Sequence, residues 1–429
     1  MSLSEMTIER YEAKTIIRVS TPSLFSWAEV YLNPYQGCFH DCKYCDGKSE
    51  SYYMHADFDK HIRVKINAAI LLEQFLKKKG FVAINREKTS TLSDYLQTER
   101  DSTQINQAAK FVFHIGGGVC DVYQPAENEV MITRQLLQIA YDYAFPVFIL
   151  TKSKNALRDI DLLEKINKDS YACVSFTITL ADEATQRIFE PRASTTQERF
   201  AAIKTLRGRG IHSGVYFNPV LPFIGDTDEN MQAIYKQAKD AGAEFVYCWG
   251  LTLKPGRNKQ EFMHTMEQHF QTLLPKYKTL YSNDDRYGDL DVGEFRKMEL
   301  VWPEVKGYTL GYEAGLPYAA RRYIPRGRLE ANLRASEVLR KAAFIQSSIL
   351  KNSWPETRKL TQAAIFLDNF QQDISRMNAE QIGRLPVGRE ASQYILEVAK
   401  ENTSRRLEEL EEEAYAHARN RLQASQKGS

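Results

Sequence analysis

From about residue 28 to residue 275, short β-branched or aromatic runs alternate with helical patterns, and no other feature restricts the possible fold as much. Strands are expected at 28–32, 111–115, 147–150, 172–178, 214–217 and 244–249, because Val, Ile, Phe, Tyr and Thr cluster there as half-buried or buried strands require. Helical patterns fill the intervals at 67–78, 131–143, 157–166, 197–206 and 229–241. Ser194 with Gln197, and Asp226 with Glu229, have the spacing of capping boxes at two helix starts. Gly210 and Gly242 stand where a left-handed residue ends those helices. Repeated strand–helix alternation implies a parallel sheet with helices outside it. Six units suit a full or partial (β/α) barrel or a doubly wound sheet. In either, chemistry belongs at the C-terminal ends of the strands.

A chain of 429 residues is long enough for one large domain plus an appendage. The expected division is an α/β partial (β/α)6 TIM-like barrel over 1–275, an irregular Tyr- and Arg-rich cap over 276–345, and a helical C-terminal extension over 346–429. The polar run 84–108 reads as a surface insertion into the barrel. Residues 404–426, with Glu408, Glu409, Glu411, Glu412 and Glu413, read as a solvated tail helix. No stretch reaches the roughly 18 apolar residues of a membrane span, and Met1 to Arg18 has no signal-peptide core, so a cytoplasmic protein is expected. The net charge of +2 gives no global bias toward nucleic acid.

Of six cysteines, Cys38, Cys42 and Cys45 lie within eight residues, and Cys120, Cys173 and Cys248 stand alone. A long chain with few cysteines argues against a secreted disulfide framework, so the trio points to metal binding or catalysis. Its C-x3-C-x2-C spacing follows the first expected strand through Asn33-Pro34-Tyr35-Gln36-Gly37. Three thiolates can hold three irons of a [4Fe–4S] cube and leave the fourth open to a ligand. The competing assignment is structural zinc. That needs four closed ligands; there is no second cysteine pair, and His40, inside the loop, is awkwardly placed to close a tetrahedron. Cys173 and Cys248 fall inside expected strands and read as core.

The pattern C-x3-C-x-aromatic-C after a first strand resembles the radical S-adenosylmethionine (SAM) superfamily. NPYQGCFHDCKYC, GGGVCDVYQPAE, ILTKS, FEPRAS, NPVLPFIGD and LTLKPGR, in that order, resemble its spore photoproduct lyase-like branch over about residues 20–265. The resemblance implies an enzyme with two cofactors, a [4Fe–4S] cluster on Cys38, Cys42 and Cys45, and SAM. It also implies a reductant, flavodoxin- or ferredoxin-like. Cleavage of SAM would give a 5′-deoxyadenosyl radical that abstracts hydrogen from a substrate, with the protein orienting and shielding the chemistry.

On this resemblance Gly116, Gly117 and Gly118 let bare backbone approach the methionine end of SAM. Lys152 supplies a cation to its carboxylate. Thr177, which shares a strand face with Ser175 and Thr179, meets the ribose hydroxyls. Tyr44 packs near adenine and is a candidate for the chemistry itself. Asn218 offers backbone groups to adenine. Arg192 either reaches an anionic group on SAM or substrate or pairs with Glu190. Cys120 lies where the lyases keep a cysteine that returns hydrogen to the product radical; the alternative is a buried hydrophobe. The lyases carry a tyrosine after the last cluster cysteine, and here Asp46 stands in its place, with Tyr52 and Tyr53 as candidate substitutes. Photoproduct repair does not follow from the scaffold alone.

The segment 321–341 carries Arg321, Arg322, Arg326, Arg328, Arg334, Arg340 and Lys341, and Tyr318 and Tyr323 lie beside or within it. Basic groups with aromatics can track a nucleic-acid strand, and nucleic acid is therefore a candidate partner. A substrate that is a peptide or small molecule, with the C-terminal region as its lid, is the alternative. A non-catalytic metal-binding scaffold is the third reading.

Overall fold

The structure, a computed structural model, describes residues 6–52, 54–85, 112–116, 120–324, 329–352 and 354–427. Its strands are β1 (Thr7–Tyr11), β2 (Ile17–Val19), β3 (Ala28–Leu32), β4 (Tyr35–Gln36), β5 (His61–Lys65), β6 (Val112–Ile115), β7 (Val147–Thr151), β8 (Ala172–Thr177), β9 (Val215–Val220) and β10 (Val246–Gly250). β3 and β6 to β10 pair in parallel and in chain order, with β2 antiparallel to β3 at the edge. Every crossover steps one place in the same direction, so the sheet winds as a barrel and has no switch point. β10 does not pair with β3, and the barrel is partial. A small sheet, β1-β5-β4, lies outside the expected alternation. Its strands are short and partly exposed, so they lack the apolar runs that marked the others.

The helices that follow β6, β7, β8 and β9 pack on the outer sheet face. Val30, Phe113, Ile149, Val174, Phe217 and Val246 meet Leu136, Leu163, Ile203 and Ile234 in one core. The caps differ from expectation by one residue. Thr195 caps the Thr196–Gly208 helix in a full box with Glu198, and Thr227 caps Asp228–Asp240 through Asn230 N. Both threonines have extended backbone and a hydroxyl that reaches the N3 amide, a contact that typically contributes about 1 kcal/mol. Gly210 and Gly242 have φ of +75° and +74°, as expected.

The inner barrel face is aromatic. Tyr31, His114, Phe148, Tyr216 and Tyr247 point inward, and Phe25 fills the space among them. Residues 317–323 run across the N-terminal end. Pro317 O accepts from Val246 N, Ala320 O from the Trp27 indole and Arg321 O from the Tyr171 hydroxyl. Residues 317–323 thus close the bottom of the barrel.

The segment 276–345 is more regular than an irregular cap, with helices Val292–Lys297, Pro303–Ala314 and Glu330–Phe344. Tyr308 and the alanines of these helices bury themselves in a second core with helices Trp354–Asn369 and Arg389–Glu401. The Pro303–Ala314 helix lies so close to β10 that a side chain at Gly307 would meet Cys248 Cβ at 2.6 Å. The last helix, Arg405–Lys427, is not a solvated tail. Leu407, Ala414 and Ala418 form a buried stripe, and Tyr415 stacks on Tyr312. Most of its glutamates take the opposite, exposed face. Residues 86–108 of the expected insertion lie outside the described residues. Among the described residues, no helix is long and apolar enough to cross a membrane.

Candidate active site at the mouth of the barrel

The cysteine loop leaves β4 at Gly37, whose φ is +90°. A Cβ there would lie 2.7 Å from His61 O and 2.9 Å from Phe58 O, which already accepts from Cys38 N. Gly37→Ala is therefore expected to unseat the loop. Its iron content after reconstitution should fall to less than about half, with little loss of helix by circular dichroism, because the strain of roughly 1–3 kcal/mol is local. Wild-type iron loading in this variant would refute the assignment.

Cys38 and Cys42 are buried, Cys45 is half-buried, and all three are free thiols. Burial raises Cys38 well above the usual thiol range, and the charges of Asp121, Cys42 and Cys45 add to it. Burial also pushes Cys42 up to about 12 against the pull of Lys152. Cys45 is raised by burial, with Lys152 and Lys48 opposing. Two ammonium groups thus act on the loop, Lys152 on Cys42 and Cys45 and Lys48 on Cys45. Among the described residues no three His, Cys, Asp or Glu side chains are gathered closely enough for a single metal ion. His40 does not close a tetrahedron with the cysteines. Its Nδ1 lies 3.3 Å from Arg192 O and its Nε2 3.3 Å from Asp121 Oδ2.

Asp121 ties this loop to the third strand of the barrel. It accepts from Thr151 Oγ1 at 2.7 Å, Lys152 N at 2.6 Å and Tyr123 N at 2.9 Å. Burial works against its charge, but His40 and these donors hold its carboxyl well below the usual range. Lys152 follows β7, and its Nζ lies 5.6 Å from the centroid of the Tyr44 ring. Burial disfavours its charge, yet Cys42 and Glu190 raise it, and it makes no ion pair among the described residues.

Tyr44 donates its hydroxyl to Glu190. Glu190 is fully buried and also receives Arg199, Gln186 Nε2 at 3.0 Å and Thr179 Oγ1 at 3.2 Å. Burial opposes ionisation, but Arg199 and Lys152 bring Glu190 down to about 2. Arg199 is 0% exposed and binds Thr177 O at 2.7 Å as well. Arg192 does not pair with Glu190. Its guanidinium lies over Phe39 and donates to Phe39 O at 3.1 Å and Asp59 O at 2.8 Å, with Asp41 3.3 Å away, so it braces the cysteine loop.

Thr177 ends β8 on the inner face, and among the described residues its hydroxyl makes no hydrogen bond. Gly116 has φ of +88° at the end of β6; Gly117 and Gly118 lie outside the described residues. Asn218 lies in β9 before a cis proline. Cys120 donates its thiol to Asn33 Oδ1 at 2.9 Å, and burial with the Asp121 charge pushes it up to about 12. Asp46 anchors Lys254 at 2.6 Å and Thr252 at 3.2 Å, which gives LTLKPGR the task of holding the cysteine loop. Tyr52 is exposed beside Lys254, and Tyr53 lies outside the described residues.

Sequence reasoning missed Arg199 and gave Asp121 no role. Arg199 shares the apolar stripe of its helix with Ala202, Ile203 and Leu206, which was the available signal.

Residues 32–238 match the model of the radical SAM superfamily. An uncharacterized protein of Mycobacterium tuberculosis is 27% identical over 285 residues, covering 65% of this chain and 74% of the relative. One of Methanocaldococcus jannaschii is 26% identical over 302 residues, covering 70% and 96%. Two solved variants of spore photoproduct lyase superpose with TM-scores of 0.50 at 15% identity, covering 74% of this chain and 82% of theirs. One of them holds AdoMet and a dinucleoside spore photoproduct. The barrel mouth carries Cys38, Cys42 and Cys45 and the ammonium of Lys152, which makes no ion pair among the described residues. Residues 32–238 thus carry the pattern of the radical SAM superfamily, whose members use a [4Fe–4S] cluster and S-adenosylmethionine, and the chain shares the fold of spore photoproduct lyase.

Proposed function

We propose that this protein is an enzyme that uses reductive cleavage of SAM to abstract hydrogen from a substrate held at the barrel mouth. The observation that carries the reading is the Cys38, Cys42 and Cys45 loop with the ammonium of Lys152, unpaired among the described residues, acting on Cys42 and Cys45. When bound, the cluster and SAM supply the 5′-deoxyadenosyl radical. Cys38, Cys42 and Cys45 hold the cluster and leave one iron without a protein ligand. Lys152 orients the SAM carboxylate, Gly116 admits it past bare backbone, and the Thr177 hydroxyl meets the ribose. Gly117 and Gly118, Tyr44 and Asn218 are assigned to the same cofactor. Tyr44 is held by Glu190, and Arg192 positions the loop without touching SAM.

The test is anaerobic reconstitution with iron and sulfide, then addition of SAM and dithionite. Release of 5′-deoxyadenosine is expected; a colourless protein holding one zinc would show a scaffold instead. Lys152→Met should raise the SAM concentration for half-maximal cleavage by about tenfold to a hundredfold, the worth of a charge-assisted hydrogen bond, at unchanged iron content. An unchanged SAM dependence would remove Lys152 from the site.

Cys120 keeps its proton at neutral pH and lies beside the same loop, as a hydrogen donor to a product radical requires. Cys120→Ala should leave SAM cleavage intact and change the product distribution. Identical products with the physiological substrate would exclude the relay.

A nucleic-acid substrate, as in spore photoproduct lyase, is one assignment. A peptide or small molecule gains from a specific observation: of the five described basic residues in the segment that suggested nucleic acid, two are buried, two are half-buried in ion pairs and only Arg321 is exposed. Arg322 and Arg340 are buried on Asp368, Arg334 pairs with Glu330 and Lys341 with Glu337, while Tyr318 stacks on Phe344 and Tyr323 on Tyr171. Arg326 and Arg328 lie outside the described residues. Salt-dependent binding of DNA or RNA at low ionic strength separates the two.

A further inference from the structure

The C-terminal helices cover the unclosed side of the barrel, between β10 and the segment that leads into β3. A cavity of about 400 Å3 lies there, within the size range of small-molecule sites. Phe25, Tyr247 and Trp249 form its inner wall, and Arg340, Ser347 and Thr361 face them from the C-terminal helices. Two of these residues are not satisfied by their surroundings.

Trp249 is 38% exposed, although it lies within a barrel strand. Its ring lies nearly parallel to Tyr247, with centroids 6.5 Å apart. The same side chain lines a second cavity of about 270 Å3 that reaches Thr252, the partner of Asp46 beside Cys45. A ligand against Trp249 would therefore sit next to the route to the cluster loop.

Arg340 is 5% exposed. Its Nη2 donates to Asp368 at 2.6 Å, and Asp368 is shared with Arg322 at 2.8 Å. One carboxylate thus serves two buried guanidiniums, with Glu29 contributing a weaker field. The Nε of Arg340 is buried and has no hydrogen-bond partner among the described residues. Burial outweighs Asp368 and holds Arg340 below the usual guanidinium range. A buried guanidinium with unmet donors is costly unless an acceptor arrives.

We propose that this cavity binds a small molecule carrying a planar ring and an oxyanion, with the ring against Trp249 and the oxyanion at Arg340. Carboxylate and phosphate offer a guanidinium the same pair of oxygens, so both belong to the class. Binding does not depend on the radical chemistry; the ligand's being the substrate rests on the function proposed above.

The experiment is a titration of the full-length, reconstituted protein with indole-3-carboxylate and with phenyl phosphate. Indole, inorganic phosphate and single-stranded oligothymidylate are the controls. Saturable binding of at least one ring-bearing oxyanion is expected, and the tighter of the two assigns the anion. Indole alone and phosphate alone should bind about tenfold more weakly or worse. Trp249→Ala and Arg340→Lys should each weaken binding about tenfold, and Trp249 is exposed enough for its variant to keep the fold. No saturable binding of either probe, undiminished binding by Trp249→Ala, or binding of the oligothymidylate alone would each overturn the site. SAM cleavage without probe binding would remove this inference and leave the proposed function. Probe binding by a protein that releases no 5′-deoxyadenosine would do the reverse.

Discussion

Cys42→Ala leaves a folded protein that releases no measurable 5′-deoxyadenosine. The substitution removes one sulfur from a buried position in the apolar cluster that also holds Tyr44 and Leu180, and a void that small costs about 1 kcal/mol. Backbone bonds of the loop, Cys45 N to Cys42 O and Lys43 N to Phe189 O, do not use the sulfur. The Asp41–Lys48 and Arg192–Asp59 pairs that hold the loop are likewise untouched. Thermal unfolding of the cluster-free protein should therefore move by only a few degrees. Cluster chemistry has no such reserve. Even changes to groups behind a metal ligand typically cost 10–100-fold in affinity or activity, and loss of one of three ligands should exceed about a hundredfold. Iron per chain, the cluster's visible absorption and 5′-deoxyadenosine are the readouts. A Cys42→Ala protein that still cleaved SAM would show that the cluster sits elsewhere. Cys173→Ala is the matching control, because Cys173 lies on the inner wall against Ser175 and away from the loop.

The six parallel strands could be read from the chain because each carries its own apolar run, and their C-terminal ends located the site. The candidate residues Cys38, Cys42, Cys45 and Lys152 were singled out for the same reason: each follows directly on a strand or its loop. What the sequence hid is set by partners distant in the chain. Glu190 and Arg192 are two residues apart, and a pair between them was open. The loop instead turns Glu190 inward to Arg199 and Arg192 outward to Asp41 and Asp59. The basic segment 321–341 looked like a surface because charge usually is one, yet Asp368, far along the chain, draws Arg322 and Arg340 inside. Threonine rather than the neighbouring Ser194 or Asp226 caps two helices, a difference of one residue that propensity cannot resolve.

Arg199→Met should destabilise the fold by about 3–5 kcal/mol at neutral pH, the usual result of removing one partner of a buried ion pair. Arg199 and Glu190 are both fully buried, so water cannot take over the lost contact. Arg199 also holds Thr177 O and Ser194 O, which fix the end of β8 and the start of the following helix. The pH dependence separates the charge from these contacts. Glu190 in the native protein titrates at about 2, against roughly 4.3 for an unperturbed glutamate. Its folded-state value is depressed, so it contributes stability above the unfolded value, and that contribution is lost as pH falls from about 4.3 through 2. Without Arg199, burial dominates and Glu190 is expected to take up a proton. Its folded-state value then lies above the unfolded one, and its penalty grows as pH rises. The stability gap between wild type and Arg199→Met should accordingly be widest near pH 7 and narrow as pH is lowered toward 4. Adding Glu190→Gln to Arg199→Met removes the buried charge and should recover part of the loss at pH 7, although Lys152 then loses a neighbouring carboxylate. A gap that stayed constant with pH, and a double variant no better than the single one, would mean that Arg199 acts through its bonds to Thr177 and Ser194 and not through the ion pair.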